Sequence, residues 1–75
     1  MITLEQAKRL TYHQTIYEVG AYNAGGTAKR WRVNGKVKTW KRSPDRVQVP
    51  LKHGLYSYGY LTEENLEWFV LSEED

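Results

Sequence analysis

The chain has 75 residues, 40% of them hydrophobic and none of them cysteine, with a formal net charge of +2. A chain of this size holds one domain, residues 1–75, and buries only about 60% of the surface its unfolded form exposes, so its core is thin. The lack of cysteine excludes a disulfide framework, a thiolate metal site and a cysteine nucleophile, and it suits a reducing compartment.

The start, MITLEQAKRL, has no long apolar run and carries Glu5, Lys8 and Arg9. It reads as neither a signal peptide nor a membrane anchor, and a soluble, cytoplasmic protein is expected. Thr3-Leu4-Glu5-Gln6 has the form of a capping box, and Leu4, Ala7 and Leu10 recur at helical spacing. A short amphipathic helix over 3–10 is predicted, and at that length it must pack on something to persist.

Residues 14–61 read as a β-rich core. Thr15–Val19 is a strand ending at Gly20, and AYNAGGTA is a loop. Residues 28–33 and 36–42 form two strands around Asn34-Gly35, among the strongest short-range hairpin signals because both residues tolerate positive φ. Ser43-Pro44-Asp45 marks another turn. In the run 46–52, Val47, Val49 and Leu51 alternate with Arg46, Gln48 and Lys52. Pro50 puts this strand at an edge, or turns its missing N–H away from a partner. Residues 55–61 alternate again, with Tyr56, Tyr58 and Tyr60 on one face. Residues 62–75 form an acidic segment: Thr62 offers a helix N-cap with Glu63 and Glu64 in the first turn, followed by a short helical turn and a closing strand.

This pattern predicts a mainly β fold with short helices. It is a small, strongly curved antiparallel sheet or SH3-like barrel with the N-terminal helix packed on it. The alternative is an α+β sheet with one covering helix.

Charge is distributed more tellingly than its total. Residues 29–54 hold nine Lys or Arg against Asp45, whereas residues 55–75 hold six carboxylates and no cation. Arg30, Arg32, Lys36, Lys38, Lys41 and Arg42 surround Trp31 and Trp40. Register decides what they share. A two-residue Asn34-Gly35 loop pairs Trp31 with Lys38 and mixes both faces. A three-residue loop with a bulge at Gly35 pairs Arg32 with Lys36, Arg30 with Lys38 and Trp31 with Val37, giving one basic and one apolar face. Burial favours the second. Like charges would then lie opposite each other, a cost that a polyanion, the acidic segment or solvent would offset.

Cations that neutralise phosphates, beside rings that stack on bases, are the ingredients of nucleic-acid binding. The expected contacts are Arg30, Arg32, Lys36, Lys38, Lys41 and Arg42, with Trp40 and Tyr58 stacking and Trp31 in the core. A hairpin rich in Lys and Arg also guards an edge against pairing, which explains the same residues without a ligand. The row Tyr56, Tyr58, Tyr60 is a candidate protein-binding face, or a cover for the thin core. The acidic segment is a solvated tail, a mimic of nucleic-acid charge or a contact for a basic protein.

Little points to catalysis. His13 and His53 have no ligand spacing, so neither a metal nor a cofactor is expected. Gly25-Gly26-Thr27-Ala28-Lys29 lacks the order of a phosphate-binding loop.

KRWRVNGKVKTWKRSPDRVQVPLKHGLYSYGYLTEEN resembles the central motif of small accessory proteins encoded by bacteriophages and prophages. The resemblance spans roughly residues 10–70. Its most specific part is Arg30–Arg42 followed by Lys52-His53-Gly54-Leu55-Tyr56. It implies a phage or mobile-element origin, action in the host cytoplasm, and a role by occlusion of a host enzyme or a nucleic acid. The expected function is therefore non-enzymatic binding of DNA or RNA through the basic, aromatic hairpin. The alternative is a protein inhibitor that blocks a host or anti-phage defence protein. A small homo-oligomer is compatible with either.

Overall fold

The computed structural model describes residues 1–22, 25, 26 and 28–72, and Tyr22 only in its backbone. One short helix, α1 (Leu4–Lys8), precedes six strands: β1 (Thr15–Tyr22), β2 (Ala28–Val33), β3 (Lys38–Trp40), β4 (Ser43–His53), β5 (Ser57–Thr62) and β6 (Phe69–Val70). They form one open antiparallel sheet in the order β3-β4-β2-β1-β6, with β5 on the other edge of β4. The mainly β, antiparallel architecture expected from the sequence is present, with its N-terminal helix packed on β4.

The capping box starts α1 as expected. The Gln6 N–H donates to Thr3 Oγ1 at 3.1 Å, and Gln6 Oε1 accepts from the Thr3 N–H at 2.9 Å. The helix is shorter than the 3–10 span, because Arg9 and Leu10 donate back three residues, to Gln6 and Ala7, and tighten the last turn. Leu10 still reaches the core. A turn follows with His13 at φ 73, closed by Gln14 N–H to the Thr11 carbonyl and Thr11 N–H to Gln14 Oε1.

Alternation sorts the sheet into two faces. Ile16, Val33, Val47, Val49, Leu51 and Leu61 are buried on the inner face with Ile2, Ala7, Leu10 and Phe69, and Trp31 and Val37 pack partly against them. No polar side chain is buried among the described residues. Trp31 is anchored by donating from Nε1 to Glu18 Oε1 at 2.9 Å. The sequence placed it on the core, and it lies there.

The hairpin at Asn34-Gly35 is not present. β2 and β3 do not pair with each other. They run in line along the same edge of β4, with Arg32 opposite Lys52, Val33 opposite Leu51, Lys38 opposite Gln48 and Thr39 opposite Val47. Asn34–Val37 is an interruption in one long partner strand, so neither register weighed for the hairpin applies. The turn is instead at Lys41-Arg42, where Trp40 pairs with Ser43, and Pro44 and Asp45 lie inside β4 rather than in a turn.

Pro50 explains the interruption. β4 is the central strand, not an edge, and pairs with β5 on its other side, Pro50 facing Tyr60. A strand residue projects its N–H and C=O to the same edge. The Pro50 carbonyl accepts from the Asn34 N–H at 2.8 Å, so its missing N–H falls on the side where β2 and β3 leave a gap. Gly35 serves this contact and not a turn: its φ is outside the left-handed region, and a β-carbon there would lie 2.9 Å from Pro50 Cγ.

Two further boundaries move. β1 continues through Gly20, at φ 78, to Tyr22 by means of a bulge, since Glu18 faces Lys29 and Tyr22 faces Ala28. The C-terminal helical turn is a 3₁₀ turn at Leu66–Trp68 with Asn65 at its N-cap, not a helix begun at Thr62. Asn65 Oδ1 accepts from the Thr62 N–H at 2.8 Å and holds the intervening turn. β6 then closes the sheet against β1, as expected of a final strand. Asn23, Thr27 and the acidic residues 73–75 lie outside the described residues. No described helix is long and apolar enough to cross a membrane.

Candidate nucleic-acid interface

The outer face follows from the same alternation that builds the core. Residues opposite in phase to Ile16, Val33, Val49 and Leu61 stand on it. Strand pairing then aligns them into rows across the sheet. Thr15 faces Arg32, Arg32 faces Lys52, and Lys52 faces Tyr58, so one row crosses β1, β2, β4 and β5. Beside it Tyr17 faces Arg30. Farther along β4, Pro50 faces Tyr60, and Lys38, Gln48 and Thr62 form another row.

Four of the seven predicted cations and rings are brought to this face on β2 and β3: Arg30, Arg32, Lys38 and Trp40. Lys41 and Arg42 are exposed at the tip of the β3–β4 turn, and Lys36 is exposed in the interruption between β2 and β3. None of these seven residues lies on a two-stranded β2–β3 hairpin. The single basic face that the hairpin was expected to produce is produced by β4 instead. Like charges do oppose each other, but the pair is Arg32 and Lys52.

The rings differ in availability. The Arg46 guanidinium lies 4.0 Å from the centroid of Trp40, and Lys38 Nζ lies 5.1 Å from it. Cations thus already lie against the indole, and a base stacking on the face that Arg46 covers would have to displace it. Tyr58 and Tyr60 are 64% and 55% exposed on β5, with Lys52 Nζ 5.6 Å from the Tyr58 ring. Tyr56 is 89% exposed but belongs to the β4–β5 turn, beyond the strand on which the other two align.

At the end of β4 the sheet opens. Pairing between β2 and β4 stops at Arg32 and Lys52. Past that pair the His53 imidazole satisfies the Arg30 carbonyl, donating from Nδ1 at 2.7 Å. Its ring centroid is 5.5 Å from that of Trp31. A cleft of about 540 Å³ results, lined by Thr15, Arg30, Trp31, Arg32, Lys52 and His53, with the Gly54-Leu55 turn at its end.

Electrostatically the face is one-sided. Among the described residues no carboxylate forms an ion pair with Arg30, Arg32, Lys38 or Lys52. The described acidic residues of the C-terminal segment are engaged elsewhere. Glu63 Oε1 accepts from the Val47 N–H at 2.9 Å, and Glu63, Glu64 and Glu67 border a hollow with Met1–Leu4. They do not neutralise the basic face.

Sequence reasoning left Thr15, Arg46, Lys52 and His53 out of the site. The signal for Arg46 and Lys52 was already in the alternation of 46–52, which separates them from the buried valines. His53 had no such signal, since its role depends on where β2 and β4 part.

Among the described residues no group of three or more His, Asp or Glu side chains could hold a metal ion. Comparison of the chain with protein-family models, with curated proteins and with solved structures gives no match in any of the three.

Proposed function

We propose that this protein binds single-stranded nucleic acid, DNA or RNA, along the outer face of its sheet, as a non-enzymatic accessory protein of the phage type. The observation that carries the reading is the row Thr15, Arg32, Lys52, Tyr58: two unpaired cations directly opposite each other, with a hydroxyl at one end and an exposed ring at the other. Juxtaposed cations without a carboxylate partner are costly in a small domain, and phosphates offset that cost. Exposed rings beside such cations offer stacking surfaces to unpaired bases, which a duplex keeps stacked within itself. Arg30, Arg32, Lys38 and Lys52 contact phosphates in this reading, and Tyr58 and Tyr60 stack. Lys36, Lys41 and Arg42 add to the surrounding positive potential.

Fluorescence anisotropy with labelled single-stranded and duplex oligonucleotides tests it. Single strands should bind more tightly, with log K falling against log salt by about 0.7 for each phosphate neutralised. Absence of binding to any oligonucleotide at low salt overturns the reading.

One observation favours a second reading, a protein inhibitor. Leu55 and Tyr56 are 74% and 89% exposed and continue into Tyr58 and Tyr60, an apolar and aromatic strip suited to a host or defence protein. Capture of one host protein, lost on changing Tyr56, Tyr58 and Tyr60 to Ala but unaffected by Arg32→Gln, selects that reading.

A further inference from the structure

The cleft where β2 and β4 part differs from the rest of the basic face, and its chemistry is more specific than a track for a phosphate backbone. Elsewhere Lys38 and Arg46 lie against the Trp40 ring, and Lys41 and Arg42 stand at the β3–β4 turn. Here Arg30, Arg32 and Lys52 line one hollow together with the His53 imidazole and the Thr15 hydroxyl, and none of the lining residues is a carboxylate. The hollow also stands at the end of β4, bounded by the Gly54-Leu55 turn.

We infer that this cleft binds a phosphomonoester, the terminal phosphate of a nucleic-acid strand or the phosphate of a free nucleotide. The inference rests on the nucleic-acid reading for the strand and on the cleft alone for the phosphate. Three positive groups lining one hollow are more than an internal phosphodiester, with its single charge, requires. A terminal phosphate carries about −1.5 to −2 at pH 7 and three acceptor oxygens. Two guanidinium groups offer forked donors to such an anion and Lys52 a point charge. Thr15 supplies a neutral hydroxyl donor. At about 540 Å³ the space exceeds that of a phosphate and admits the attached sugar, with the Trp31 side chain along its wall. The position explains why an end is selected. A strand lying along Lys38, Gln48 and Pro50 toward Lys52 reaches the cleft where β4 and β5 stop, with β1 and β2 continuing past it.

The test compares one ten-nucleotide single strand in three forms: 5′-phosphorylated, 3′-phosphorylated and with hydroxyls at both ends. One of the phosphorylated forms should bind at least about tenfold more tightly than the hydroxyl form, the scale of one charge-assisted contact set. Arg32→Gln should abolish that preference, and Lys38→Gln should retain it while weakening all three forms alike. Equal affinity for the three forms overturns the end-selective site and leaves the nucleic-acid reading standing. If no oligonucleotide binds, titration with adenosine 5′-monophosphate, followed by the amide and indole resonances, decides the cleft separately. Shifts confined to Thr15, Arg30, Trp31, Arg32, Lys52 and His53 retain a free-nucleotide site. Their absence removes it.

Discussion

Gly35 rests against the Pro50 ring so closely that a β-carbon on it would come within 2.9 Å of Pro50 Cγ. This contact lets β2 and β3 share one edge of β4, because the chain passes over a residue that has no N–H to offer. Gly35→Ala should therefore destabilise the fold by about 1–3 kcal/mol, the scale of overpacking in a close-packed site. Urea denaturation of Gly35→Ala, Pro50→Ala and the double variant checks it. Alanine at 35 should be better tolerated once Pro50 is Ala, giving a favourable coupling in the cycle. A glycine needed for a hairpin turn would show no such coupling.

Glu63 completes a ladder that β5 is too short to finish. The last β5 pair is Thr62 with Gln48, and the next inward N–H, that of Val47, is taken by the Glu63 carboxylate at 2.9 Å. Glu63→Ala should cost about 1–3 kcal/mol by leaving that donor unsatisfied. Glu63→Gln, which keeps an acceptor oxygen, should cost less. Thermal or denaturant unfolding of the two variants separates them, and equal losses would assign the effect to charge alone.

Lys52 stands opposite Arg32, and the fold gains nothing from the juxtaposition. Lys52→Gln should raise stability at low salt by a few tenths of a kcal/mol, and the gain should shrink as salt rises. The same change should weaken oligonucleotide binding and lower the salt slope by about 0.7. A variant both more stable and less able to bind is the signature of a residue kept for a ligand. Loss of stability would instead make Lys52 structural.

Tyr58 and Tyr60 leave more than half of their surface exposed, so replacing either with Ala should change stability by no more than about 1 kcal/mol. Affinity for single strands should fall roughly 5- to 150-fold per ring, corresponding to about 1–3 kcal/mol of stacking. Trp40→Ala should cost less affinity, because Arg46 and Lys38 already lie over that ring. Anisotropy titrations rank the three.

What could be read from the sequence was whatever depends on near neighbours. Thr3 and Gln6 announce the helix start, and Val47, Val49 and Leu51 announce both the core and, by elimination, the outer face. Tyr58 and Tyr60 share a face because they are two residues apart on a strand. Asn34-Gly35 misled because its local preference for a turn is real but weaker than a longer ladder on β4. The decisive partner, Pro50, lies 15 residues away, and nothing near Gly35 names it. Arg32 and Lys52 are likewise joined only by strand pairing, so the basic face was foreseen while its geometry was not. His53 entered the site through the parting of two strands, which no spacing encodes.

β4 gives one edge to β5 and divides the other between β3 and β2, whereas β6 contributes two residues at the margin of β1. Protection against solvent exchange must therefore be graded across the molecule. The amides of Val49 and Leu51 can open only when the whole sheet comes apart, while those of Phe69 and Val70 can open alone. The closing strand can thus part from β1 and return many times during one lifetime of the folded sheet, with the basic face intact throughout.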